Sequence, residues 1–276
     1  MGRNSSLALR VSKNRPESGQ LRMSDQAHLW SKAAASYELD FIDPYLPGVR
    51  NPLPQALEEL ADPQKGTAAD LGCGVGPLLP TLAKHFHRVL AVDFAEGMLK
   101  RAREHCGELP NVEYLRRSLT DLAPLAEQVD VAVAVNSLVL PDVGELEAAL
   151  RSIHRALRPG GHFLGIVPAI DAVHYSTMLL VDRARRADMP MDKARQNAAH
   201  HAEHALYDFA FGDFRYLGIE QHFWQPFEVR YRLRRAGFRR VRLKKVHLSW
   251  SQFAGAPDLK DEPPPWDWFF QAEKQP

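Results

Sequence analysis

Between residues 66 and 170, short apolar runs alternate five times with amphipathic stretches, and this alternation narrows the possible folds more than any other feature. "GTAADLGCG", "RVLAVDF", "NVEYLRRS", "QVDVAVAVNS" and "HFLGIVPAI" have strand length. The fourth is a nearly continuous Val/Ala run, as expected of a central strand covered on both faces. "PLLPTLAKHF", "AEGMLKRAREHCG" and "VGELEAALRSIHRALRPGG" read as helices, the first with Pro77 in its opening turn, where a missing N–H costs nothing. Strands that alternate with helices build an open, doubly wound, mostly parallel sheet, so the fold class is α/β.

After this core the pattern changes. Residues 171–214 are charged and rich in histidine and aromatics, and are expected to form a helical insertion. A helix, "QPFEVRYRLRRAG", follows it. Two strands, "RRVRLKKVHLSW" and "WDWFFQAEK", then come with no helix between them, so they should pair antiparallel at the sheet edge. The expected organisation is one domain over 25–276, preceded by a disordered tail over 1–24. That tail is basic, serine-rich and poor in acids, so an organellar targeting segment is the alternative.

Net charge is +1, so any attraction to nucleic acid must be local. Cys73 and Cys106 are the only cysteines, too few for a disulfide framework, and a reducing cytoplasm fits. No apolar run reaches the ~20 residues of a membrane span, and no membrane partner is expected.

The first strand ends in "AADLGCGVGP". Its glycines, Gly72, Gly74 and Gly76, follow G-x-G-x-G rather than the G-x-G-x-x-G of dinucleotide enzymes, and no P-loop lysine follows. Asp70, two residues upstream, disfavours pyrophosphate and favours an ammonium group. At the end of the next strand, Asp93 can accept both hydroxyls of a ribose. It can also bond the start of the helix that follows. A nucleoside without phosphates, bearing an amine, describes S-adenosyl-L-methionine.

On these residues the chain resembles the class I (Rossmann-like) S-adenosylmethionine-dependent methyltransferases. The resemblance is carried by "ADLGCGVG" (69–76), "LAVDFAEGML" (90–99), "VEYLRRSLTDL" (112–122), "VDVAVAVNSLVLPDV" (129–143) and "RALRPGG" (155–161), in register from about Trp30 onward. It implies a seven-stranded sheet of order 3-2-1-4-5-7-6 with strand 7 antiparallel. It also implies that Asp70 and the backbone of Gly72, Cys73, Gly74 and Gly76 cradle the methionine part. Asp93 would hold the ribose, with Phe94 and Met98 near the adenine. Where the family often has an acid beside the adenine amine, this chain has Ser118, then Leu119; a hydroxyl can accept that bond without charge. Asn136 and Ser137 fall where cofactor and acceptor meet.

Methyl transfer from a sulfonium mainly needs alignment and exclusion of water, with a general base only for a weakly acidic acceptor. Candidates for a base are His200 and His204, which share a helical face with Asp208, and His174 after the fifth strand. A solvated helix face explains the same pattern. There is no "NPPY" or "DPPY" after the fourth strand, which disfavours adenine and glutamine acceptors. A lid made of the helix around Trp30 to Tyr37 and the 171–214 insertion suggests a small-molecule acceptor. The alternatives are an RNA or protein acceptor docked on the nine Lys/Arg between Arg230 and Lys245, or a non-catalytic cofactor-binding protein of the same fold.

Overall fold

The structure is a computed structural model that describes residues 23–34, 42–203, 206–208, 211–216, 219–253 and 259–276. Residues 1–22 of the expected tail lie outside this range. Helix α1 (Met23–Ala33) and the short α2 (Leu53–Glu59) precede the sheet. The core then runs β1 (Asp62–Leu71), α3 (Leu79–His85), β2 (Phe86–Asp93), α4 (Glu96–Cys106), β3 (Val112–Arg116), β4 (Val129–Val135), α5 (Val143–Ala156) and β5 (Leu157–Val167). After it come α6 (Ile170–Arg186), α7 (Met191–Glu203), β6 (Leu206–Asp208), β7 (Asp213–Tyr216), β8 (Ile219–His222), α8 (Pro226–Arg235), β9 (Arg239–His247) and β10 (Trp266–Glu273).

The main sheet has the order β3-β2-β1-β4-β5-β10-β9. β1 to β5 are parallel, and β10 is antiparallel to both β5 and β9. This is the expected order, with the terminal hairpin at the edge. The central strands are buried on both faces. Ala69, Leu71, Ala132, Ala134 and Phe163 point toward α5 and α8, while Ala68, Val131, Val133, Leu164 and Ile166 point toward α2 and α3. The Val/Ala run is therefore the signature of a strand with no wet side. α5 starts cleanly because Asp142 accepts the Glu145 N–H at 2.7 Å, satisfying an orphan donor of the first turn.

Two local expectations change. α3 begins at Leu79 and carries Pro80 in its first turn, so Pro77 belongs to the preceding turn. The 171–214 segment is helical only to Glu203. It continues as a small antiparallel sheet, β6-β7-β8, that reaches beyond Phe214 to His222. Strands of three or four residues give no measurable period, and their letters ("LYD", "DFRY", "IEQH") mix apolar, aromatic and charged residues as a helix surface also does.

The small sheet is strapped to the main one. The Trp224 indole N–H donates to Leu138 O at 2.7 Å, the His222 backbone N–H to Val139 O at 2.8 Å, and the Trp224 backbone N–H to Pro168 O at 2.8 Å. These bonds fix the loop after β4, on which the site depends.

Candidate functional site

At the carboxyl ends of β1, β2 and β4 a cleft encloses about 1140 Å³ of non-protein space, part of it open to solvent. Ligands of open α/β sheets bind at this edge, where strand order reverses on either side of β1. Gly72, Gly74, Asp93, Phe94, Met98, Ser118, Leu119, Asn136 and Ser137 all line the cleft. Residues from four separate stretches of sequence thus meet as expected.

The turn after β1 is held from below. The Gly72 and Cys73 N–H groups both donate to Val92 O, at 2.7 and 3.0 Å. Asp93, buried at the end of β2, accepts the Gly74 N–H at 3.0 Å through Oδ2 and the Ala95 N–H at 2.8 Å through Oδ1. One carboxylate therefore fixes both the glycine turn and the entrance of α4. The Phe94 N–H also favours the carboxylate, and the lone pairs that remain are available to a ligand.

Three expected cofactor residues do not line the cleft: Asp70, Cys73 and Gly76. Gly76 has φ +85°, and a Cβ there would meet Cys106 Sγ at 2.8 Å and Ala102 Cβ at 3.2 Å. Its glycine lets α4 pack against the turn. Cys73 is buried in the apolar layer beside α2 and α3. Asp70 lies beneath the turn, 3% exposed, with no cation paired to it among the described residues.

Burial, reinforced by the neighbouring Asp93 charge, pushes the Asp70 carboxyl from 3.8 up to about 7. Burial also raises Asp93, to about 6, against the lowering effect of its backbone N–H donors. Both carboxyls hold their protons more tightly folded than unfolded. The stability they contribute is full below about 3.8 and is lost as pH rises through 6 to 7. At neutral pH the site thus concentrates negative charge at a cost to folding, which a bound cation would offset.

Asn136 has φ +51°, an uncommon conformation for a residue with a side chain, and its N–H donates to Ile166 O at 2.9 Å. Its Oδ1 is buried without a hydrogen-bond partner while the residue lines the cleft. An orphaned acceptor at a strained position is a mark of a site shaped for a ligand. The Ser118 hydroxyl shares a hydrogen bond with the Thr120 hydroxyl at 2.8 Å and accepts the Thr120 N–H at 3.2 Å. It is thus oriented but partly engaged.

The roof comes from α1 and β8. Gln26, Trp30 and Glu220 line the cleft, and Trp30 packs with Val75, Met98 and Ile219. Tyr37 lies outside the described residues. Among the described residues of α6 and α7, none lines the cleft, His174 included. His204 is outside the described residues, as is the His200 side chain, so their expected roles have no structural counterpart here.

Behind the roof lies a cluster with no local sequence signal. Buried His222 sits between Asp213 Oδ1 (3.2 Å, to Nδ1) and Glu228 Oε2 (3.1 Å, to Nε2), and Glu228 also accepts from Arg232 at 2.6 Å. The nine- and six-residue spacings match no helix or strand period; β7, β8 and α8 bring the three together.

Gly72 sets the cleft's floor. It has φ +74°, and a Cβ would stand 2.3 Å from Ser137 Cβ. Ser137 cannot move freely, because its hydroxyl donates to Leu71 O at 2.6 Å. Gly72→Ala is expected to cost roughly 2–4 kcal/mol, from left-handed strain plus overpacking. Gly74→Ala, at φ +54° with nothing within 4 Å, should cost only about 1 kcal/mol. Urea unfolding of both variants tests this, and equal losses would refute the assignment of Gly72 as the close-approach position.

With this geometry in place, the relatives of the chain are informative. Residues 68–161 match the family model of a methyltransferase domain. Over 109 residues the chain is 35% identical to a 2-phytyl-1,4-naphtoquinone methyltransferase of Thermosynechococcus vestitus, covering 38% of this chain and 48% of that protein. Over 145 residues it is 30% identical to a ubiquinone/menaquinone biosynthesis C-methyltransferase of Klebsiella pneumoniae, covering 50% and 57%. The matched segments span about half the length of these relatives. Among solved structures, an S-adenosylmethionine-dependent methyltransferase from Listeria monocytogenes described as putative superposes with TM-score 0.54 at 19% identity, covering 80% of this chain and 96% of that one. The N-methyltransferase NodS of Bradyrhizobium japonicum, solved with S-adenosyl-L-homocysteine, gives 0.55 at 13% identity, covering 90% and 98%. From β1 into β5 the chain is therefore similar to methyltransferase domains, and its fold is that of solved S-adenosylmethionine-dependent methyltransferases.

Proposed function

We propose that the chain binds S-adenosyl-L-methionine in this cleft and transfers its methyl group to a small-molecule acceptor. The observation that carries the reading is the buried Asp93 carboxylate, tied to Gly74 and Ala95 with lone pairs left over, at the lip of a glycine turn closed below by Ser137. Asp93 would hold the ribose hydroxyls. Phe94, Met98 and Leu119 supply apolar walls for the adenine, with Ser118 at its edge. The backbone of Gly72 and Gly74 admits the amino-acid part, and Asp70 beneath it provides the field for an ammonium group.

When bound, the cofactor supplies an electrophilic methyl on a good leaving group. The protein's part is then to orient an acceptor and keep water away. Asn136 Oδ1 provides an unsatisfied acceptor at the place where cofactor and substrate meet. Trp30 and the β8 strand cover the cleft. The quinone acceptors named for two relatives support a small, largely apolar acceptor rather than a polymer. A base from His174, His200 or His204 is the remaining catalytic proposal. Unchanged turnover in alanine variants of all three would remove it.

Calorimetry with S-adenosyl-L-methionine, followed by labelled-methyl transfer onto a panel of quinols, phenols and amines, tests the whole reading. Absence of binding would end it; binding without transfer to any of the panel would leave a cofactor-binding protein. The charge of the site makes a second prediction. Affinity should weaken by about tenfold or more as pH falls from 8 to 6, because Asp70 and Asp93 gain protons near 7 and 6. A flat pH profile would show that neither carboxylate meets the cofactor's charge or hydroxyls.

A further inference from the structure

Helix α8 is amphipathic with unusual chemistry on its outer side. Val229 and Leu233 are buried and join the core beneath it. Phe227, Arg230, Tyr231 and Arg234 recur at spacings of three and four, so they share the opposite side, and all four are exposed. Neither Arg230 nor Arg234 is ion-paired among the described residues. Arg232, on the neighbouring stripe, is held by Glu228 and Glu147.

A second cavity opens beside this stripe, between the first turns of α5 and α8 and the 211–213 turn. Val143, Ile170, Phe211 and Phe223 supply its apolar surface. Its polar floor is the His222–Asp213–Glu228 cluster, whose groups already satisfy one another. Phe227 (70% exposed), Phe211 (63%), Tyr231 (59%) and Val143 (46%) all border it. The other exposed large hydrophobics of the described residues, such as Leu46 and Met178, do not border it. Contiguous exposed apolar surface of this kind marks an interaction site, and aromatic residues with arginine dominate interface energetics.

We propose that this face docks an acidic polypeptide segment carrying a bulky apolar side chain. The apolar group enters the cavity past Phe211 and Phe227, and flanking carboxylates meet Arg230 and Arg234. Charge complementarity sets the sign of the partner, and the apolar cavity sets the need for an anchor. A nucleic acid fits less well. On β9, Arg240, Arg242 and Lys244 alternate with Val241 and Leu243, which pack on the same core as α8. Those three cations therefore face the other side of the sheet, and the basic stretch forms no single phosphate track.

The test pans the full chain against a displayed library of random peptides, with single-stranded oligouridylate as a parallel probe. Selected peptides should share an apolar residue flanked by Asp or Glu. Their affinity should fall by about tenfold or more in Phe227→Ser, in Tyr231→Ser and in the Arg230→Ser/Arg234→Ser double variant, and should weaken with salt. These side chains are exposed, so the unfolding midpoint and cofactor binding should not change. The proposal is overturned if no acidic–apolar class is enriched, or if enriched peptides bind these variants as they bind the parent. It is equally overturned if oligouridylate is the probe the variants lose, or if the face instead mediates a dimer that Phe227→Ser dissolves.

Discussion

Asp93→Ala is expected to reduce S-adenosyl-L-methionine affinity by at least about a hundredfold. Two ribose hydroxyls bonded to one carboxylate are worth roughly 1.5–3 kcal/mol each, and a hundredfold is about 2.7 kcal/mol. The variant loses more than ligand bonds. The Gly74 and Ala95 N–H groups lose their acceptor, so the glycine turn and the α4 entrance come adrift together. Stability should also fall, by about 1–3 kcal/mol for unsatisfied donors, partly offset because a buried acid is removed. Asp93→Asn separates the two effects. It preserves size and one acceptor oxygen, so it should fold nearly as well but bind with intermediate affinity. Calorimetry and urea unfolding on the three proteins measure both. Wild-type affinity in Asp93→Ala would mean that the ribose is held elsewhere.

How far such a site can be read from sequence depends on the range of the interactions that build it. The place of Asp93, Phe94 and Met98 on the cleft was legible because a strand end and the next helix are adjacent in the chain, and the βα turn repeats the same geometry. The sheet order came from the resemblance of the motifs, whereas the continuous apolar run of β4 marked only a strand buried on both faces. Gly76 shows the limit. The G-x-G-x-G spacing does not distinguish a glycine facing a ligand from one facing a helix; that depends on Cys106 and Ala102, thirty and twenty-six positions away. The small sheet and the His222 cluster were not legible at all. Their strands are too short for a period, and their contacts join β7, β8 and α8 through turns without a recognisable motif. The roof was read in part: α1 was expected to cover the cleft, but among the described residues its companion is β8 rather than α6 or α7.

That cluster carries the second large prediction. Burial alone would lower the His222 pKa, but hydrogen bonds and charges from Asp213 and Glu228 overcome this and push it up to about 9. The imidazolium therefore persists at neutral pH, and it lowers the Glu228 pKa in return, against burial. The folded pKa lies above the ordinary 6.5, so the stabilisation is full below 6.5 and is lost as pH rises through 9. His222→Phe preserves the ring that packs edge-on against Trp224 but leaves buried Asp213 and Glu228 facing each other without the imidazolium between them, with Arg232 remaining on Glu228 alone. Removing one partner of a buried charged cluster costs about 3–5 kcal/mol, and a loss of that order is expected at pH 7. The wild-type unfolding midpoint should decline between pH 7 and 9.5, and that decline should be much smaller in the variant. Parallel pH profiles would show that His222 is neutral in the fold. Cofactor affinity should fall less than stability. The His222 backbone N–H still bonds Val139 O, and Trp224 still bonds Leu138 O, so the cleft loop keeps its direct ties and loses only the rigidity of the sheet behind it.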